Sequence, residues 1–162
     1  MFKNTLLIIL LIVNTSCGYD ATYSKKNRLQ NLEILIGQIS FEGDRDVNIK
    51  IKQKLTNYTR GKKYEEITGT NFIETIKIKS DTSRTVISRD SKGDVTVYSM
   101  EVIVFAKAIK ENLIIADLEL VKTFKYDNNI DRFILNERER DIKKSLAETI
   151  TNEIVSTLSS IQ

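Results

Sequence analysis

The sequence predicts an α+β fold: a two-layer sandwich with two helices packed on one face of a four-stranded sheet, in the order β-α-β-β-β-α. Three observations predict it. Apolar residues alternate in four segments, the period of a half-buried strand. In two other segments they recur every three or four positions, the period of a helix with one dry face. The length, 162 residues, fits one domain and leaves no room for two substantial cores.

The elements follow in order. Leu32–Ser40 reads as an Ile-rich strand bounded by a turn at Gly43 and Asp44. Asp44 or Asp46 can cap the next helix, in which Val47, Ile51, Leu55 and Tyr58 share one face while Lys50, Lys52 and Lys54 lie elsewhere. Gly61 is its expected stop. A second strand region covers Asn71–Arg89, with Phe72, Ile76 and Ile78 on one face and Thr75, Lys77 and Lys79 on the other. Asp81–Ser83 is a candidate bend within it, and Ser91-Lys92-Gly93-Asp94 is a hairpin signal. The third strand, Val95–Ile109, has an apolar even face from Tyr98 to Ala108. After a short Lys110-Glu111-Asn112 turn, the fourth strand, Leu113–Tyr126, places Ile114, Ala116, Leu118, Leu120 and Phe124 on one face. Arg132–Ser159 is the last helix, marked by Ile142, Leu146, Ile150, Ile154 and Leu158 at intervals of four. The helical connection between the first two strands implies that they are parallel.

Composition narrows the chemistry. The chain has no His, no Pro, no Trp and one Cys. Without His it lacks the usual general base at neutral pH and the commonest metal ligand. One Cys excludes an internal disulfide and a multi-Cys metal site. Glu65 and Glu66 are adjacent, so on a strand they diverge; Glu137 and Glu139 lie two apart on a helix and do not face each other. We therefore expect no enzyme activity, no catalytic residues, no metal and no cofactor. The excess of 25 Lys+Arg over 22 Asp+Glu is too small to argue for nucleic acid.

The N-terminus is the most informative stretch. Lys3 precedes an unbroken apolar run, Leu6–Val13, which suits a signal-peptide core and is too short to span a bilayer as a helix. Asn14, Thr15 and Ser16 then lead to Cys17, the chain's lone Cys. This stretch resembles a lipobox, at which bacterial lipoproteins are diacylated on Cys and cleaved before it. The resemblance implies that Cys17 carries lipid and begins the mature protein. It divides the chain into a signal peptide (1–16), a lipidated Cys and tether (17–31), and a single α+β domain (32–162). An ordinary secretory signal with an incidental thiol is the alternative, and an uncleaved anchor a third. Gly18, where an Asp would signal inner-membrane retention in such lipoproteins, favours the outer membrane.

The sheet face away from the helices is less polar than a purely solvated face: the third strand brings Ile103 and Phe105 to it and the fourth Ile115 and Val121. It is either a half-wet face rich in strand formers or a surface for a protein partner, in which Phe105 and Val121 would be buried.

These features resemble the LPS-assembly lipoprotein family LptE. The resemblance rests on the lipobox-like start, the element order, the Cys17-Gly18-Tyr19 string, and Phe124-Lys125-Tyr126-Asp127-Asn128 leading through Asn136-Glu137-Arg138-Glu139-Arg140-Asp141 into the final helix. It implies a role without catalysis: an outer-membrane lipoprotein that plugs and supports assembly of the β-barrel LptD and assists lipopolysaccharide transport to the outer leaflet. The domain would lie on the periplasmic side or within the barrel lumen. Lipopolysaccharide phosphates would then meet basic groups, of which Arg89 and Lys92, at one end of the sheet, are the candidates taken forward from a set that includes Arg84 and Arg132. The alternatives are an auxiliary lipoprotein of an ABC-type lipid transporter and a soluble secreted ligand-binding domain.

Overall fold

Val47, Ile51 and Leu55 are completely buried, the dry face of a helix that begins at the first residue able to leave the sheet. In the computed structural model, which describes residues 35–59 and 72–161, β1 (Leu35–Gly43) passes directly into α1 (Arg45–Thr59). Gly43 has φ +100°, and a Cβ there would lie 1.8 Å from the Ser80 carbonyl oxygen. Only glycine makes this corner. Asp44 caps α1, its Oδ1 accepting from the Asp46 and Val47 amides at 3.0 and 3.1 Å.

The remaining elements are β2 (Phe72–Arg89), β3 (Val95–Lys110), β4 (Leu113–Asp127) and α2 (Arg132–Ser160). The order is β-α-β-β-β-α, as predicted. The sheet runs β1-β2-β3-β4; the first pair is parallel and the other two are antiparallel. Both helices cover one face. On α2, Ile142, Leu146, Ile150, Ile154 and Leu158 are all buried. Thr151 is buried beside them because its hydroxyl donates to the Ala147 carbonyl at 2.6 Å. Lys50 and Lys54 of α1 hold Glu148 of α2 at 3.1 and 2.6 Å, and Tyr58 donates to Asn152, so the helices are joined along their exposed seam.

Four local expectations are corrected. β1 runs on to Gly43 instead of ending at Ser40, because its pairing with β2 continues to Ser80. β2 passes through Asp81–Ser83 without a break, each residue paired to β3; the irregularity falls between Val86 and Arg89. Ile73, not Phe72, joins Ile76 and Ile78 in the core, a spacing of three that changes the strand's parity. The Phe72 ring instead lies against Gly37, where a Cβ would come within 3.0 Å of it. On β4, Ile114 is 60% exposed, because the ladder shifts between Ala108 and Ile109 and leaves Ile115 unmatched. Residues 32–34, Gly61, Glu65 and Glu66 lie outside the described residues.

Candidate partner-binding sheet face

The two helices leave the opposite sheet face uncovered among the described residues. Strand alternation puts Ile103, Phe105 and Lys107 of β3 on it, with Asp117, Glu119 and Val121 of β4. Ile103 stands opposite Val121, and Phe105 lies between Glu119 on one side and Lys79 of β2 on the other. Phe105 is 37% and Val121 43% exposed. Both sequence candidates therefore belong to one apolar centre, which Ile103 completes.

A groove of about 690 Å³ borders this centre, lined by Ser40, Glu42, Lys77, Lys79, Phe105 and Lys107. Lys107 pairs with Asp117 at 3.1 Å and Lys79 with Glu42 at 3.7 Å, both exposed. Lys77 has no ion pair among the described residues. Three ammonium groups beside an aromatic ring can hold an anion or an acidic side chain with an apolar neighbour. Alternation along β2 puts Lys77 and Lys79 on the face turned from the core. Joining them to Phe105 takes the β2–β3 register, in which Lys79 stands opposite Phe105.

Arg89 and Lys92 lie elsewhere, at the tip of the β2–β3 hairpin. Ten residues of strand separate Lys79 from Arg89, roughly 33 Å, so the two candidate sites are not brought together. Arg89 Nη1 donates to the Gly93 carbonyl at 2.8 Å, which closes the turn. The Lys92 amide donates to Asp90 Oδ1, and the Lys92 side chain is exposed.

Arg84 has a structural role instead. Its guanidinium binds Glu139 at 2.9 Å and stacks 4.7 Å from the Tyr98 ring centre. Tyr126 donates to the same Glu139 oxygen at 2.6 Å. Burial first, then Glu139, pushes the Tyr126 hydroxyl well above its ordinary pKa, while Glu139 raises that of Arg84. The network ties both antiparallel pairs to the first turns of α2. Glu139 is thus occupied, while Glu137 lines a groove beside Phe124.

No group of three or more potential metal ligands lies together among the described residues, and no described helix is long and apolar enough to cross a membrane. Cys17 lies outside the described residues.

Comparison with solved structures then bears on the fold. Rare lipoprotein B from Shewanella oneidensis superposes with a TM-score of 0.50 at 12% identity, covering 75% of this chain and 96% of that one. An uncharacterized lipoprotein B from Nitrosomonas europaea superposes with a TM-score of 0.54 at 15% identity, covering 78% of this chain and 84% of that one. The chain has the lipoprotein B fold. No protein-family model and no curated protein matches the sequence. At these identities the likeness is one of architecture: it fixes the sheet order and helix placement and leaves the chemistry of each site to this chain's own residues.

Proposed function

We propose that this chain is an outer-membrane lipoprotein of the LptE kind, anchored through Cys17, which fills the lumen of the LptD β-barrel, supports its assembly and assists lipopolysaccharide transport. The observation that carries the reading is the coincidence of a lipoprotein B fold with a solitary Cys placed just behind a signal-like apolar run and the short Asn14-Thr15-Ser16 stretch that follows it. Either alone is weak; the fold says nothing of an anchor, and the run says nothing of a fold. A lipid anchor confines the domain to the plane of the barrel and raises its effective concentration there. The uncovered face around Phe105 and Val121 is the surface offered to the barrel wall. Arg89 and Lys92 on the hairpin tip are the cations offered to lipopolysaccharide phosphates.

Two measurements test it. Labelling with a radioactive fatty acid should mark the wild-type chain and not Cys17→Ala; label on the variant removes the anchor from the proposal. Purification in mild detergent should recover an outer-membrane barrel. Recovery of inner-membrane transporter subunits alone would favour an auxiliary lipoprotein of an ABC-type transporter.

A further inference from the structure

The sheet ends on two edges, and they are not alike. β1 is nine residues long, contains Gly37 and Gly43, and has its Glu42 carbonyl occupied by the Asn48 side chain. β4 is fifteen residues long with neither Gly nor Pro. Its ladder to β3 is continuous from Ala116 to Asp127. Among the described residues nothing pairs with its other side. Such an edge is a template for another strand.

The ladder fixes which groups are free. The Asn128 amide donates to the Thr96 carbonyl, so the even positions of β4 are those bonded to β3. The odd positions, Asp117 to Asp127, aim their amides and carbonyls at the open edge. Beside that edge lies a second vacancy: a groove of about 440 Å³ bounded by Phe124 of β4 and by Ile134, Ile142 and Leu146 of α2. A further strand along β4 would turn alternate side chains into it.

We infer that, while the domain stands outside any barrel, the occupant is a second copy of this chain, its β4 pairing antiparallel with the first about a two-fold axis at Val121, so that two four-stranded sheets become one of eight. The charges select the partner and the register. With Val121 on the axis, Asp117, which holds Lys107 of its own β3 on one side, gains the partner copy's Lys125 on the other, twice across the axis, and Glu119 faces Thr123. Moving the axis to 122 offsets two Glu119–Lys125 pairs with two Asp117–Asp127 clashes; moving it to 119 sets Glu119 against itself; moving it to 120 leaves no oppositely charged pair. On the inner face the same register sets Leu118 opposite Phe124, at the mouth of the groove. Lys122, the charge on that face, is already bound by Glu153 of its own α2. An isologous contact of this kind closes on two copies and does not propagate.

The test is cysteine crosslinking of the full-length chain in detergent, with the wild type, whose lone Cys is Cys17, as background. A hydrogen-bonded antiparallel pair sets Cα atoms about 5.5 Å apart, within disulfide range. Val121→Cys should therefore crosslink to itself under mild oxidation. Glu119→Cys and Thr123→Cys should each fail alone, since four residues of strand separate their copies by about 14 Å, and should crosslink when mixed. Lys125→Asp should weaken association about tenfold by opposing like charges twice, and adding Asp117→Lys should restore it. A chain that stays monomeric at every concentration overturns the inference. So does self-crosslinking at 119 or 123 as efficient as at 121. Neither result touches the anchor, which fatty-acid labelling of Cys17 reads independently.

Discussion

Asp44 joins three elements with two oxygens. Oδ1 caps α1, while Oδ2 accepts from the Thr82 hydroxyl at 2.9 Å and from Lys143 of α2 at 2.6 Å. Burial pushes this carboxyl up, but the Lys143 ammonium, the Val47 amide and the Thr82 hydroxyl together outweigh it and hold the pKa below the ordinary value. A depressed carboxylate stabilises the fold above the unfolded-state pKa, about 3.9, and that contribution is lost as pH falls through the lower folded value. Asp44→Asn keeps a capping side chain but strands Lys143, at a cost of about 2 kcal/mol given the pair's partial exposure. Urea midpoints from pH 7 to pH 3 should show the gap between wild type and variant shrinking toward the acid end; parallel curves would assign the acid sensitivity to another group. Tyr126→Phe should cost about 1 kcal/mol by denaturant unfolding, since Glu139 keeps Arg84 as a partner. In the sequence Asp44 was legible as a cap, because a cap is a local signal. Its tie to Lys143, ninety-nine positions away, was not. Arg84 and Glu139 were read apart, as a phosphate contact and a failed acid–base partner, because nothing local joins residues fifty-five apart.

At the scale of elements, what was legible depended on whether burial follows a single period. The α2 stripe obeys one, so its five buried positions could be named in advance. Truncating its centre, Ile150→Ala, should cost about 3 to 4 kcal/mol by urea unfolding. β2 breaks its period between Ile73 and Ile76 to admit the Phe72 ring over Gly37, and no two-residue template anticipates that. β4 does so again beside Ile115, after a hairpin whose Glu111 and Asn112 both have positive φ. Gly43 was legible as a turn, but the reason for a glycine lies across the sheet at Ser80. Gly43→Ala must displace β2 or open the corner, and should cost about 3 kcal/mol or more in the same measurement.

For the described residues taken together, the division into a helix-covered and an uncovered sheet face follows from alternation alone, which is why Phe105 and Val121 can be placed on one face from the sequence. Their companions cannot, because Lys77 and Lys79 reach the groove only through strand pairing. Phe105→Asp should change unfolding free energy by no more than about 0.5 kcal/mol, since the ring is partly exposed and outside the core, yet abolish recovery of the barrel in pull-downs. A large loss of stability would instead make Phe105 a packing residue. The β2–β3 hairpin carries a mechanical consequence. Every β2 residue from Thr85 to Arg89 is exposed, so the outer hairpin stands clear of both helices, and its root is clamped where Arg84 and Tyr126 meet Glu139 and Arg84 stacks on the Tyr98 ring. A beam fixed at one end pivots only about its root, so the direction in which Lys92 points is set by the Arg84 contacts with Glu139 and Tyr98, ahead of any packing at the tip itself.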